Sequence, residues 1–373
     1  MKGRIKILHA AETIKGGIET VVRHLINPAY GAEGEESYIF VFPINQVETS
    51  RVYGESKYNF SRTGRNIRSL ASFCINFTRA LLRESPDVVH LHSTFAGILG
   101  RVICIFMMPL RRPVVVYCPH AFAFVMNASG PRKKIYALIE IILSRVTSKI
   151  ICVSRYEFNS AIDNGLPANK LTLIYNGTPL PRRLPNRAES ESKKIRLLYV
   201  GRFDYQKGVD ILCDALGGVP SEKFDLVVIG GSVLDSKDPP PKFPENSVQL
   251  GWISSSELED IYGKVDALIV PSRWEGFAMT PLEGMAHGIG VISSDSTSLP
   301  ELVQDGLNGR LFKAGDVSSL RDILMSISLD DLRYYGGNAR GTVKNKFNAE
   351  LMVCETKGLY RVLINSAKTK NYY

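Results

Sequence analysis

Residues 195–208 read IRLLYVGRFDYQKG, a short apolar run that leads into a turn between two glycines. The run from Ile195 to Val200 is rich in Ile, Leu and Val, which predicts a buried strand. A helical pattern begins after the second glycine. This order of strand, turn and helix recurs along the chain and therefore predicts an α/β fold with parallel sheets.

The alternation of strands and helices divides the chain into two similar halves. Strands are predicted at Ile5–Leu8, Tyr38–Phe42, Val88–Leu91, Val114–Tyr117, Ile150–Val153, Leu171–Tyr175, Ile195–Val200, Phe224–Ile229, Ala267–Val270 and Gly290–Ile292, with first-half helices near Glu19–Ile26, Arg65–Arg83, Lys133–Val146 and Tyr156–Asn164. The proline-rich segment from Pro179 to Lys194 predicts a linker. We therefore expect two domains, residues 1–178 and 179–373, with ligands bound where the parallel strands end.

Composition restricts the class of protein. The 373 residues are 45% hydrophobic and carry a net charge of +9. The apolar run from Ser93 to Leu110 is interrupted by Arg101 and predicts a buried helix, not a membrane span. The N-terminus lacks the pattern of a signal peptide, and the six cysteines lack disulfide or metal-site spacing, so we expect a cytoplasmic protein. The excess positive charge lies before residue 179, which indicates an anionic partner.

Two loops carry the residues that indicate chemistry. In the first, Arg202 and Lys207 follow a strand, and their cationic side chains could clamp a diphosphate beside a helix N-terminus. An ordinary loop with solvated charges remains an alternative. The second loop and the helix after it read PSRWEGFAMTPLE over residues 271–283. Thr280 is a predicted N-cap with Glu283 as its capping-box partner, whereas Glu275 has no such structural role.

Several of these features resemble glycosyltransferase family 4 in their order along the chain. The resemblance rests on Gly201-Arg202, Lys207-Gly208, Gly251, Ala267–Pro271, Glu275-Gly276-Phe277, Glu283, Pro300-Glu301, Gly306 and Gly309, and in the first half on Gly16-Gly17, His120 and Val153-Ser154. Glu275 and Glu283 match the Glu-x7-Glu motif of that family. The resemblance implies a GT-B fold, in which two Rossmann-like domains face each other across a cleft. The N-terminal domain would then bind the acceptor and the C-terminal domain the nucleotide sugar.

The resemblance also implies roles for individual residues. Arg202 and Lys207 would hold the donor diphosphate, Glu275 would contact the donor sugar, and Glu283 would bind the ribose. His120 would approach the sugar from the first domain, although a structural histidine is an alternative, as is a simple turn role for Gly17. The resulting catalytic set is Glu275, His120, Arg202 and Lys207, and the donor-binding set is Gly16, Gly17, Arg202, Lys207, Gly276, Phe277, Ala278, Met279, Thr280 and Glu283.

Some positions depart from the family pattern. Ala278 stands where the family commonly has Gly, Gly284 where it has Ala, and Gly290 where it has Pro. These changes are small and affect the expected donor preference more than the expected activity. No Asp-x-Asp metal motif is present, so we expect no metal and no cofactor, with fixed cations in place of a metal ion.

The predicted function is retaining transfer of a hexosyl group from a UDP- or GDP-sugar to a lipid-linked glycan acceptor in exopolysaccharide or lipopolysaccharide biosynthesis. Alternatives are a catalytically silent binding subunit of the same fold and, with weaker support, a glycoside hydrolase that uses Glu275 and Glu283. An NAD-dependent oxidoreductase is disfavoured because the Gly16-Gly17 segment lacks GxGxxG. Nucleic-acid binding has no motif behind it.

Three further expectations concern a membrane surface, the C-terminal helix and two variants. Arginines 65, 68, 79 and 83 form one stripe of a predicted helix, which would place the protein on the inner face of an anionic membrane. An ordinary amphipathic helix is the alternative. The C-terminal helix is hypothesised to pack back on the first domain. Glu275→Gln and Lys207→Ala are each expected to lower kcat/KM by about tenfold or more, with melting close to wild type.

Overall fold

The computed structural model describes residues 4–14, 16–30, 35–46, 58–64, 66–108, 110, 112–125, 130–182, 184, 194–232 and 241–370. The chain divides into two compact units, the first formed by Met1–Asn176 with Ala349–Tyr373 and the second by Gly177–Asn348. Each unit contains one six-stranded sheet in which all neighbouring strands are parallel. The predicted α/β class is therefore confirmed.

The first unit is built on a sheet of strand order β2-β1-β3-β4-β5-β6. Its strands are β1 (Ile5–Ala11), β2 (Glu36–Val41), β3 (Val88–His92), β4 (Val114–Cys118), β5 (Lys149–Cys152) and β6 (Leu171–Leu173). Its α-helices are α1 (Gly17–Leu25), α2 (Ile67–Glu84), α3 (Thr94–Met107), α4 (Gly130–Ser144) and α5 (Arg155–Asp163), with 3-10 turns at Pro28–Tyr30, Ile44–Gln46 and Ala168–Lys170. The order reverses between β1 and β3, which marks a switch point where ligands of such sheets bind.

Strands β3 and β4 are buried along their whole length, because helices cover both faces of a parallel sheet. The apolar run predicted as a buried helix forms α3. Arg101, the charged residue that interrupts this run, is fully buried. Its guanidinium bonds Glu140 of α4 at 2.8 Å and lies over the ring of Tyr117. The pair joins two neighbouring helices of the first unit.

The arginine-rich helix predicted from the sequence is α2. Asn66 caps its N-terminus by accepting a hydrogen bond from the backbone N–H of Ser69, and Phe73 and Phe77 are buried in the core. Ile67, the first residue of the helix, is 85% exposed. Arginines 68, 79 and 83 are exposed, whereas Arg65 lies outside the described residues.

The C-terminal helix α12 (Ala349–Lys370) belongs to the first unit. The Tyr360 hydroxyl lies 2.5 Å from Nδ1 of His90 on β3, and the Lys357 ammonium lies 2.7 Å from a carboxylate oxygen of Glu36 on β2. All four side chains lie in the interior or nearly so. These contacts attach the end of the chain to the first sheet.

The second unit is built on a sheet of strand order β12-β11-β10-β7-β8-β9. Its strands are β7 (Ile195–Val200), β8 (Phe224–Ile229), β9 (Ser247–Gly251), β10 (Ala267–Val270), β11 (Gly290–Ser294) and β12 (Gly309–Phe312). Its helices are α6 (Val209–Leu216), α7 (Ser255–Tyr262), α8 (Met279–Ala286), α9 (Leu299–Leu302), α10 (Val317–Ser326) and α11 (Leu329–Lys346). The order reverses between β7 and β10.

Two features of the whole chain complete the description. Among the described residues, no helix is both long enough and apolar enough to span a membrane. All six cysteines carry free thiols, and burial raises the pKa of the Cys104 thiol to about 12. The thiols in the core therefore behave as small apolar groups.

Candidate functional site

The loops that follow β7 and β10 meet at the switch point of the second sheet. Gly208 has a φ of 66°, and a Cβ at this position would lie 2.0 Å from the carbonyl oxygen of Pro271. Only glycine accepts both the left-handed backbone and the close approach. The backbone N–H of Arg273 also donates to the carbonyl of Gln206 at 2.8 Å. The two loops that carry the predicted site residues are therefore held against each other.

This contact brings Lys207 and Glu275 together. The Lys207 ammonium lies 2.6 Å from Oε1 of Glu275, which also accepts a hydrogen bond from the Ser272 hydroxyl at 2.7 Å. The Glu275 side chain is only 8% exposed and that of Lys207 is 24% exposed. Burying a carboxylate this far costs free energy unless a cation and hydrogen-bond donors satisfy it, and Lys207 and Ser272 do so here.

The backbone of Glu275 is fixed as firmly as its side chain. The hydroxyl of Thr297 accepts a hydrogen bond from the Glu275 N–H at 2.8 Å and donates to its carbonyl at 2.9 Å. Thr297 itself has a φ of 46°, a conformation that a β-branched residue rarely adopts. Strain of this kind persists where the surroundings over-determine a residue, which is common at functional sites.

Arg202 lies at the exposed side of the same loop. Its guanidinium is 3.0 Å from a carboxylate oxygen of Asp204 and 3.0 Å from Oε1 of Gln206. Gln206 in turn donates to the carbonyl of Trp274 at 3.1 Å. The Arg202 side chain is 45% exposed, so its charge can reach a ligand that approaches the loop.

A third cation at this site escaped sequence reasoning. Arg273 forms two hydrogen bonds with the Asp210 carboxylate, at 2.9 and 2.6 Å, and lies 4.0 Å from the centre of the Tyr205 ring. The pair connects the β10 loop to the first turn of α6. Its partners are 63 positions apart, and no local pattern signals such a pairing.

The predicted capping box on α8 is wrong. The helix begins at Met279, its N-cap is Ala278, and no side chain caps it. Proline is tolerated throughout the first turn, where backbone N–H groups have no intrahelical acceptor, so Pro281 did not locate the first residue. Glu283 accepts a 3.4 Å hydrogen bond from the Tyr262 hydroxyl and is half-buried within the helix.

The segment that enters α8 is packed on one side and polar on the other. Phe277, Ala278 and Met279 are buried, and the ring of Phe277 packs against that of Phe347 at an angle of 57°. Gly276 and Thr280 are half-buried. The free backbone N–H groups at the start of a helix attract anions, so this segment has the geometry of an anion site beside Lys207.

In the first unit, Gly16 directly precedes α1 and Gly17 is its first residue, at the switch point of that sheet. Gly16 has a φ of 95° and is the N-cap of α1, and both glycines are exposed. A Cβ on Gly16 would meet nothing within 4 Å. The conformation thus requires glycine, and the space above it is open.

His120 follows β4 at the same edge of the first sheet. It is a non-glycine residue with a φ of 56°, and its Nε2 lies 3.0 Å from Nδ1 of His92. Burial lowers the pKa of His120 to about 4, so the imidazole is neutral at pH 7. His92 also contacts His9 and the ring of His90. The sequence interpretation missed these three histidines, although the spacing of His90 and His92 on one face of β3 was a usable signal.

Two family profiles match adjoining parts of this chain. "Glycosyltransferase Family 4" matches residues 15–182, and "Glycosyl transferases group 1" matches residues 182–341. The chain belongs to glycosyltransferase family 4. This confirms the resemblance inferred from the sequence and identifies the chain as a glycosyltransferase.

Known relatives of this glycosyltransferase extend over most of its length. An uncharacterised 41.2 kDa protein in the cps region of Klebsiella pneumoniae is 35% identical over 365 residues, which are 96% of this chain and 99% of that protein. The UDP-Gal:alpha-D-GlcNAc-diphosphoundecaprenol alpha-1,3-galactosyltransferase of Escherichia coli is 27% identical over 77% of this chain and 78% of that protein.

A solved structure has the same fold. The sucrose-phosphate synthase of Thermosynechococcus elongatus superposes with a TM-score of 0.80 at 21% identity, covering 97% of this chain and 100% of that one. The predicted GT-B fold of the glycosyltransferase is thereby confirmed.

Proposed function

We propose that this glycosyltransferase moves a hexosyl group, with retention of configuration, from a nucleotide diphosphate sugar to a lipid-linked glycan in cell-surface polysaccharide biosynthesis. The observation that carries the proposal is the fixed Lys207–Glu275 pair beside the N-terminus of α8. The E. coli relative is named for transfer from UDP-Gal to a diphosphoundecaprenol-linked sugar, which supports the donor and acceptor classes.

The donor binds, in this proposal, at the carboxyl end of β7 and β10. Departure of the nucleotide diphosphate leaves negative charge on its oxygens, and in this proposal Lys207, Arg202 and the α8 amides would stabilise it. Glu275 would face the sugar, whose anomeric carbon gains positive charge. Glu283, in the middle of α8, would hold the ribose.

We infer that fixed charges replace a divalent metal in this reaction. Removal of one preorganised donor to a developing charge typically costs about 2.7–4 kcal/mol, or roughly a hundredfold to a thousandfold in rate. Two cations and the amides of the loop at residues 276–279 would each contribute stabilisation of this size to the leaving group. UDP- and GDP-sugars are both compatible with this part of the site.

A panel of UDP-, GDP- and ADP-sugars tests the enzymatic proposal directly. The protein should slowly hydrolyse one donor without acceptor, and Lys207→Ala should abolish this release of nucleotide. When a glycan acceptor is present, proton NMR of the transfer product from an α-linked donor should show an α-glycosidic linkage. No turnover with any donor, but tight nucleotide binding, would favour a silent binding subunit. Hydrolysis of a glycoside without any nucleotide would favour a hydrolase.

The first unit supports a proposal about the site of action. Helix α4 exposes Ile135, Leu138 and Ile142, which recur at helical spacing and are each at least 50% exposed. Its first turn carries exposed Arg132 and Lys134. The neighbouring α3 and the residues after it expose Phe106 and Leu110. An apolar stripe with a basic rim matches the boundary of an anionic membrane, so we propose peripheral binding there.

Liposome flotation tests this surface against the arginine stripe of α2. Wild type should float with anionic vesicles and remain in solution with zwitterionic ones. Changing Ile135, Leu138 and Ile142 together to Ser should abolish flotation. The matched control changes Arg68, Arg79 and Arg83 to Ser; loss of flotation only in this control would make α2 the docking helix. Absence of flotation by wild type would overturn membrane binding altogether.

A further inference from the structure

Three histidines of the first unit form a continuous hydrogen-bonded chain that ends at His120. Nδ1 of His9 lies 3.0 Å from Nε2 of His92, and Nδ1 of His92 lies 3.0 Å from Nε2 of His120. The rings of successive members are inclined by only 22°. His9 and His92 are fully buried, whereas His120 is half-buried. The chain thus leads from the core to the edge where the sheet binds ligands.

The fold holds this chain at fixed positions. His9 lies within β1, and His92 is the last residue of the adjacent β3, opposite Ala11. Ser93 follows His92 with a φ of 71°, and its N–H donates to the carbonyl of Cys118 at 3.1 Å. Two consecutive strands therefore leave the sheet through positive-φ residues, Ser93 and His120. Such conformations are maintained only by strong surrounding contacts.

Burial keeps all three imidazoles neutral. It lowers the pKa of His9 to about 3 and that of His120 to about 4, and it places the pKa of His92 well below its usual value. A neutral imidazole has one N–H and one lone pair. Each hydrogen bond in the chain therefore fixes the tautomer of the next ring, and only two proton arrangements are possible.

The far end of the chain selects between these arrangements. Nε2 of His9 is buried without a partner among the described residues. If the chain donated from His120 toward His9, this atom would carry a buried N–H with no acceptor, which is among the rarest defects in proteins. If it donates from His9 toward His120, the same atom is only a lone pair. The second arrangement is therefore favoured.

A metal ion is the main rival for this cluster. Ligand atoms of His9, His90 and His92 lie within 4.8 Å of one another. However, His92 uses both ring nitrogens for other histidines, and Nδ1 of His90 faces the Tyr360 hydroxyl. The Lys357 ammonium acts on His9 electrostatically and disfavours a second positive charge there. Hydrogen bonding accounts for the chain of His9, His92 and His120 without an ion, while Nε2 of His9 and Nε2 of His90 are buried without a partner among the described residues.

We propose that His9 and His92 are positioning residues that hold His120 as the neutral Nδ1–H tautomer, so that Nδ1–H donates to a sugar hydroxyl bound at this edge of the first sheet. This inference rests on the proposed function, which makes sugars the ligands of the enzyme. No described group bonds Nδ1 of His120, so this atom is available to a ligand. A chain of polarised hydrogen bonds also strengthens the terminal donor.

Two conservative variants of His92 separate its two contacts. An Asn amide occupies the position of Nδ1 and keeps the bond to His120, whereas a Gln amide occupies the position of Nε2 and keeps only the bond to His9. His92→Asn should retain kcat within about threefold, and His92→Gln should lose about tenfold or more, each tenfold being about 1.4 kcal/mol in the barrier. His90→Gln is the matched control, because His90 is equally buried beside His92 but lies outside the chain.

Two-bond 1H–15N NMR of protein labelled at its six histidines gives a readout that does not depend on activity. Wild-type His120 should show the Nδ1–H pattern, which His92→Leu should convert to Nε2–H. A wild-type Nε2–H pattern, a His92→Gln kcat equal to wild type, or a stoichiometric metal in the purified protein would overturn the chain. Full activity of His120→Ala with the expected NMR pattern would instead overturn the proposed role of His120, and the functional half of this inference with it.

Discussion

The Lys207–Glu275 pair makes a prediction whose sign is not obvious. Replacing Glu275 by Gln should strengthen the binding of UDP while weakening catalysis. Both candidate cations of the diphosphate site are paired with carboxylates, Lys207 with Glu275 at 2.6 Å and Arg202 with Asp204 at 3.0 Å. A diphosphate that binds Lys207 must therefore share its ammonium with a carboxylate that repels the ligand.

The size of this repulsion follows from the contact distance. A phosphate oxygen bonded to the same ammonium would lie about 4.5 Å from Oε1 of Glu275, because acceptors of one ammonium subtend a roughly tetrahedral angle, and two unit charges at this separation repel by about 4 kcal/mol at an effective dielectric of about 20. Salt and the bridging ammonium reduce this, so we expect Glu275→Gln to tighten UDP binding by about tenfold, or 1.4 kcal/mol. Turnover should still fall, because neutral Gln no longer stabilises the positive charge at the anomeric carbon.

Isothermal titration of UDP, with GDP as a second probe, measures this effect. Glu222→Gln is the matched control, since it makes the same charge change at an exposed position before β8, at the opposite end of the strands. Lys207→Ala should weaken binding. It should also lower the free energy of unfolding by about 1–3 kcal/mol, between the values for exposed and buried pairs, because Glu275 loses its cation. Because of this contact, we expect a lower melting temperature for Lys207→Ala, whereas the sequence alone predicts unchanged melting. UDP binding by Glu275→Gln that is equal to or weaker than wild type would refute the electrostatic reasoning.

Three further outcomes are expected. Transfer should persist in excess EDTA, and loss that Mg²⁺ or Mn²⁺ specifically restores would contradict metal independence. Gly208→Ala should destabilise the second unit by more than about 1 kcal/mol in urea unfolding, because the Cβ would strike the Pro271 carbonyl and the backbone is left-handed. Arg101→Met should cost about 3–5 kcal/mol by leaving the buried Glu140 without its cation, and Glu140→Gln should recover part of this loss; an unchanged unfolding midpoint would contradict this account of the buried pair.

The sequence pattern was enough to predict most strands of the two sheets, because these strands are buried on both faces. Continuous apolar runs such as VVVYC at Val114–Cys118 have few other interpretations when helical patterns separate them. Two edge strands were missed for the converse reason. Most of β9 (Ser247–Gly251) is exposed, and β12 (Gly309–Phe312) has four residues, one of them a glycine and another an arginine. An edge strand needs no apolar pattern, so the pattern did not reveal it.

The candidate site was predictable only in part, since sequence identifies residues and not their partners. Lys207 and Glu275 were both singled out, but their ion pair depends on the passage of Gly208 beside Pro271, which no local signal encodes. The capping box failed because a Thr and a Glu at the right spacing satisfied the pattern while the chain entered the helix one residue earlier than Thr280. A cap depends on the dihedral angles of one residue, and a sequence pattern constrains those weakly.

The two sheets have similar switch points, but the side chains at these points differ in charge. Each sheet reverses its strand order beside its first strand, and each places positive-φ residues where the chain leaves the strands near that point, as at His120 in the first unit and Gly208 in the second. In the second unit the loops carry charges that neutralise one another, so an anion can enter by exchanging partners with Glu275. In the first unit the buried histidines at this edge are neutral imidazoles. We therefore propose that a diphosphate binds the loops of the second unit and that the first unit offers neutral hydrogen-bond donors, suited to sugar hydroxyls.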